Sequence, residues 1–221
     1  MTSPTTIDGV VLAGGRSSRM GRDKASLMFQ GQTLLGRAKR ALRPLCQAVY
    51  VSIRREQRVP REFEADRVIR DRFEAGGALA AIVSVLRSTP DRPWLVLACD
   101  LPHVEPELLE DLLLQRNPVR DATAFVTGED GSVEPLCTLY EPSALDPLSL
   151  ALDNGVDEIN GALTALDLQR IPLRKTEYLR SVKNLAQYED AFSQQAQTPN
   201  PFFGEASDQR ARVRLPKVGL G

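Results

Sequence analysis

A single histidine, His103, and three widely spaced cysteines, Cys46, Cys99 and Cys137, give little from which to build a zinc cluster or a disulfide framework. No apolar run approaches the roughly 20 residues of a membrane helix. The first residues, MTSPTTIDG, lack the basic start and apolar core of a secretory leader, so the expected location is cytoplasmic with no membrane partner. Net charge is also missing: 28 basic and 29 acidic side chains leave −1, and the total asks for no nucleic-acid partner. What is present is an ordinary composition, 42% apolar and 26% charged over 221 residues. That length suits one α/β domain burying roughly 70% of its unfolded surface.

Short apolar runs alternate with helical spacing through the first half. Val10 to Ala13, Ala48 to Ile53 and Trp94 to Cys99 are continuously apolar and rich in β-branched residues, as in parallel strands buried on both faces. Leu34, Leu35, Ala38, Ala41 and Leu42 keep a helical period, as do Leu79, Ile82, Val83 and Leu86. Pro106 opens a third helix containing Leu108, Leu109, Leu112 and Leu113. The alternation predicts a doubly wound, mostly parallel sheet. Further on, strands are expected over 122–126 and 135–140 around the turn Gly128-Glu129-Asp130-Gly131, and helices over 144–152 and 158–166. A short edge strand over 170–173 is marked by Pro172, and a closing helix is expected over 184–192. The domain is therefore expected to span 1–192. Residues 193–221, rich in Gln, Ser, Pro and Gly and then in Arg210, Arg212, Arg214 and Lys217, read as a disordered tail.

Chemistry concentrates where the strands end. LAGGRSSRMGRDKA, residues 12–25, follows the first strand and sets Gly14, Gly15 and Gly21 beside Arg19 and Lys24. Glycine lets backbone N–H groups approach an anion, and the cations neutralise it, so the stretch predicts phosphate binding. Its spacing is neither G-x-G-x-x-G nor that of a P-loop, which counts against a dinucleotide fold and a P-loop NTPase. Asp100, in WLVLACDLP, falls at the carboxyl end of a buried strand on the same rim. Beside a polyphosphate it suits Mg²⁺, which takes one or two carboxylates plus phosphate oxygens and water. Asp71 also follows an apolar run and precedes Gly76-Gly77. It serves equally as an acceptor for a base edge or as a solvated turn residue. Cys99 and Cys137 lie in apolar strands and read as core, not as nucleophiles, and His103 reads as structural.

Taken in order, these residues resemble the molybdenum cofactor guanylyltransferases, nucleotidyltransferases with a Rossmann-like three-layer α/β/α fold. The resemblance covers about residues 8 to 192 and thins after Tyr140. It implies transfer of GMP from Mg-GTP to the terminal phosphate of molybdopterin or Mo-molybdopterin, with release of pyrophosphate. Molybdoenzymes or their chaperones would be further partners. By resemblance, Leu12, Ala13 and Gly14 contact the nucleotide and Gly15 keeps the loop tight. Arg19 and Lys24 hold the triphosphate, Asp71 helps bind guanosine, Asp100 holds Mg²⁺, and Asn184 belongs to the pterin side.

Three positions depart from the family pattern. G-P-L-A-G becomes Gly77-Ala78-Leu79-Ala80-Ala81, Ser52 replaces a frequent asparagine, and N-x-N-T-P-E-D is reduced to Val182-Lys183-Asn184-Leu185-Ala186. Two alternatives follow: a molybdenum cofactor cytidylyltransferase using CTP, and a nucleotide-binding protein without catalysis that serves a partner. Gly14-Gly15 favours guanine, because relatives that use CTP tend to read Ala-Ala-Gly there.

Overall fold

The computed structural model describes residues 6–15, 24–73, 75–173 and 176–182. The closing helix expected over 184–192, the tail over 193–221, and Arg19, Gly21 and Asn184 lie outside the described residues.

The apolar runs form the centre of a seven-stranded sheet. Its strands are β1 (Asp8–Leu12), β4 (Val49–Ile53), β5 (Val68–Arg70), β6 (Trp94–Ala98), β7 (Ala122–Val126), β8 (Val133–Tyr140) and β9 (Leu168–Pro172). Their order is β5-β4-β1-β6-β8-β7-β9. β8 alone is reversed, pairing antiparallel with β6 and β7, while the pairs β1–β4, β1–β6, β4–β5 and β7–β9 are parallel. Pro172 ends the edge strand β9, where its missing N–H costs no ladder bond. β2 (Met28–Phe29) and β3 (Gln32–Thr33) make a separate small hairpin.

Successive residues of each strand face opposite layers, so the sheet divides two cores. Val11, Leu95, Leu97, Cys137 and Leu139 pack with α1 (Leu34–Leu42) and α3 (Pro106–Leu114). Val10, Trp94, Val96, Ala124 and Tyr140 pack with α2 (Gly77–Leu86), α4 (Leu145–Asp153) and α5 (Ile159–Ala162) on the other face. This is the expected three-layer α/β/α arrangement with a mostly parallel central sheet. α1 starts where Thr33 Oγ1 accepts from the Gly36 amide at 2.9 Å, and α3 has proline in its first turn.

The second half departs from the expected boundaries. The helix expected over 144–152 runs Leu145–Asp153 after a 3₁₀ turn at Pro142–Ala144. The single helix expected over 158–166 is a four-residue α-helix followed by a 3₁₀ turn, Leu163–Ala165. Gly161 and Thr164 weaken helical continuity here, and the Thr164 hydroxyl bonds back to the Gly161 carbonyl at 2.7 Å.

Candidate active site

β1, β4, β5 and β6 run in one direction in register, so the residues just after them gather on one rim. Leu12 pairs with both Ser52 and Ala98, and Ile53 pairs with Arg70. Ala13, Arg54, Asp71 and Asp100 therefore emerge together from the carboxyl ends of four strands, where open α/β sheets place their ligands.

The glycine stretch is anchored at its start. Ala13 donates to the Ser52 carbonyl at 2.9 Å, and its own carbonyl accepts from Gln57 Nε2 at 3.1 Å. Its side chain is buried at 3% exposure, so Ala13 offers a ligand backbone and shape, not a side chain. At Gly14 a Cβ would come within 3.3 Å of the Arg54 amide nitrogen and 3.4 Å of Asp71 Oδ2, so the loops require a small residue there. Gly15 differs: a Cβ on it meets no atom of the described residues within 4 Å.

Asp71 holds its place through its amide, which donates to the Ile53 carbonyl at 2.9 Å. Ser52 donates from Oγ to Asp71 Oδ1 at 3.2 Å. Burial raises the Asp71 carboxyl above its ordinary pKa, opposed by the Ser52 hydrogen bond and the Arg54 charge. The folded chain thus favours the protonated carboxyl. The stability gained that way is complete below the unfolded value, about 3.9, and is lost as the pH rises through the folded value. Asp71→Asn, which carries no charge, is accordingly expected to be more resistant to urea than the parent at pH 7 and indistinguishable from it near pH 3. Equal midpoints at both pH values would show that the carboxylate is not held at a cost.

Lys24, at the start of the 3₁₀ turn Lys24–Ser26, brings its Nζ to 3.4 Å from Asp100 Oδ2. Both side chains are 22% exposed, enough to reach a ligand while screened on most sides. The main chain of Asp100 is fixed on the far side, where its carbonyl accepts from the Val182 amide at 2.9 Å. Among the described residues no group of three or more His, Cys, Asp or Glu side chains is placed to hold a metal. A lone carboxylate at a strand end nevertheless fits an ion that takes most of its ligands from phosphate and water.

The model of the MobA-like NTP transferase domain matches residues 9–167. The chain belongs to this family. Its nucleotidyltransferases generally use a divalent metal. A molybdenum cofactor guanylyltransferase from Pseudomonas putida is 35% identical over 156 residues, 70% of this chain and 80% of that protein. A molybdenum cofactor biosynthesis bifunctional protein from Synechocystis is 33% identical over 188 residues. That match takes in 85% of this chain, which spans about half, 53%, of the bifunctional protein's length. In solved structures, the molybdopterin-guanine dinucleotide biosynthesis protein A of Archaeoglobus fulgidus superposes with a TM-score of 0.73 at 25% identity, covering 86% of this chain and all of that one. Against this family frame, the departure at 77–81 becomes concrete. Gly76 is buried with φ +96°, and Gly77 heads α2 with φ +51°. Ala81 is buried within α2 at 7% exposure.

Some of the rim was not visible in sequence. Gln57 bridges two loops, donating to the Ala13 carbonyl and accepting from the Arg54 amide at 3.3 Å. Arg70 Nη1 donates to the carbonyls of Arg54, Arg55 and Gln57 at 3.3, 2.6 and 3.0 Å, pinning the loop after β4. The one available signal was the crowding of Arg54-Arg55, Arg58 and Arg70 around a strand pair, and the first three have exposed side chains. His103 packs edge-on against Phe29, with ring centroids 5.6 Å apart, and burial lowers its pKa. Burial also drives the Cys137 thiol far above the range of a nucleophile. Among the described residues no helix is long and apolar enough to cross a membrane.

Proposed function

We propose that this chain transfers GMP from Mg-GTP to the terminal phosphate of molybdopterin or Mo-molybdopterin, releasing pyrophosphate. The observation that carries the reading is the Lys24–Asp100 pair on the rim that also holds Gly14 and Asp71, cation and carboxylate together at the end of a glycine-bearing backbone loop. The names of the relatives, guanylyltransferases and a guanine dinucleotide biosynthesis protein, supply the nucleotide and the acceptor.

In this reading an oxygen of the acceptor phosphate attacks the α-phosphorus of GTP. A new P–O bond forms as the bond to the β-phosphate oxygen breaks, and pyrophosphate leaves with the electron pair. No protein nucleophile is needed, so the chain works by positioning and by neutralising charge. Lys24 lies against the triphosphate and compensates the charge that grows on the departing pyrophosphate. Arg19 has the same task, and Asn184 is assigned to the pterin side. Leu12, Ala13 and Gly14 form the wall against the nucleoside, and Gly15 leaves room for the phosphates. Asp71, held by Ser52, accepts from donors on the guanine edge. Asp100 is the residue that would hold Mg²⁺, which when bound adds charge compensation on the phosphates.

The test is pyrophosphate release by the purified protein with Mg²⁺, comparing GTP with CTP, each with and without Mo-molybdopterin. Release that needs the pterin and prefers GTP is expected. Preference for CTP would assign the cytosine dinucleotide reaction instead, and no release from folded protein would mean a different acceptor, such as a sugar or alcohol phosphate, or a nucleotide-binding fold without catalysis.

A further inference from the structure

Lys24 and Asp100 are 76 residues apart, and their side chains meet at 3.4 Å. Their two segments meet on α1. Arg37 is 5% exposed and spreads its guanidinium over three acceptors. Nε donates to the Pro102 carbonyl at 3.1 Å, Nη2 to Glu105 Oε1 at 2.6 Å, and Nη1 to Gln30 Oε1 at 2.8 Å. Pro102 and Glu105 belong to the loop that follows Asp100. Gln30 sits at the turn of the β2–β3 hairpin, directly downstream of the Lys24 turn.

Gln30 is also the one non-glycine among the described residues with positive φ, at +51°. That conformation costs a side-chain-bearing residue energy, and here it is the conformation in which Gln30 meets Arg37. A small apolar cluster of Phe29, Leu34 and Val182, separate from the two main cores, joins the hairpin and the start of α1 to Val182. Arg37 stands 5.2 Å over the Phe29 ring, and the Val182 amide carries the Asp100 carbonyl. A brace of this shape exceeds what packing of α1 requires, because an apolar residue on that helix face would bury as well without ordering two loops.

We infer that Arg37 is a positioning residue that sets the Lys24–Asp100 separation, acting through Gln30 on one side and the Pro102–Glu105 loop on the other. The inference rests on the reading of Lys24 and Asp100 given under Proposed function. Its consequence is selective. Nucleoside contacts on the Gly14 and Asp71 side do not run through Arg37, so loosening the brace affects metal use and turnover more than nucleotide capture.

Arg37→Lys retains the charge but cannot span three acceptors. Gln30→Gly removes one acceptor while relieving the positive φ, and thermal denaturation run alongside separates lost stability from lost positioning. In the pyrophosphate assay, Arg37→Lys is expected to raise the half-saturating Mg²⁺ concentration and lower kcat, each by about tenfold, and Gln30→Gly by at least about twofold. GTP binding measured in EDTA is expected to weaken less than the Mg²⁺ response in both, since only the Lys24 contact with the triphosphate runs through the brace. Asp100→Ala run alongside separates the two ideas. If it leaves the Mg²⁺ response unchanged, the underlying assignment fails. If it abolishes the response while both brace variants behave as the parent, the inference about Arg37 is overturned. Should Arg37→Lys fail to fold, Gln30→Gly decides alone, since an unchanged Mg²⁺ response in that variant rejects the brace.

Discussion

Asp100→Ala is expected to lower Mg²⁺-dependent pyrophosphate release by about 10²–10³-fold, the cost typical of removing one electrostatic contact to a developing charge. The fold should survive it. The Asp100 main chain is secured by the Val182 amide, and the neighbouring Leu101 is 4% exposed in the core under α3. The side chain reaches Lys24 at 3.4 Å and is partly open to solvent, so truncation leaves no buried partner stranded. Thermal denaturation should therefore change little while turnover collapses. Asp100→Asn sharpens the test, because an amide oxygen of the same size retains weak affinity for a hard cation. Its activity is expected to recover in part as Mg²⁺ is raised, whereas that of the alanine variant does not. Normal turnover of Asp100→Ala at ordinary Mg²⁺ would mean that the carboxylate serves the loop and not the reaction.

The second large effect falls at the other end of the molecule and concerns stability alone. Glu141, just past β8, is 3% exposed and receives Arg116 Nε at 2.6 Å and Nη2 at 2.8 Å, a two-pronged ion pair at the opposite rim from Asp100. Arg116→Ala strands the buried carboxylate and is expected to cost about 3–5 kcal/mol in urea denaturation. Replacing both partners with apolar residues, as in Arg116→Met with Glu141→Leu, is expected to cost far less, since neither charge is then left unpaired. Activity per folded molecule should be unaffected in each case, which makes this pair the counterpart of Asp100. A small cost for Arg116→Ala would show that water reaches Glu141 freely.

How much of this could be read from the residues depends on the range of the interactions. Val10, Val51 and Val96 lie in short runs that are apolar at nearly every position, the pattern of a strand covered on both faces, and all three are fully buried. Asp100 was legible for the same reason, as a charge ending such a run. The β2–β3 hairpin was not, because two-residue strands carry no period and Gln30-Gly31 gives a weak turn signal without flanking alternation. Arg37 was invisible in a different way. It falls among the buried positions of α1, where sequence alone gives an arginine no partner, and its acceptors lie up to 68 residues away. Gln57 and Ser52 likewise acquire meaning only once register places them beside Ala13 and Asp71. The reading of 158–166 as one helix failed because Gly161 and Thr164 were outweighed by the count of apolar residues around them.

The position of β1 in the sheet bears on how the chain is born. Its residues are the first of the domain to leave the ribosome, yet they occupy an interior strand with Val10 and Val11 wholly buried. One flank is met by β4, ending at Ile53, and the other by β6, ending at Ala98. At about 5–20 residues per second, a few seconds of translation separate the two pairings. During that interval the nascent chain presents an apolar strand edge with its ladder half made. The glycine stretch that follows β1 is synthesised early as well, but the rim it belongs to does not exist until Asp100 has emerged.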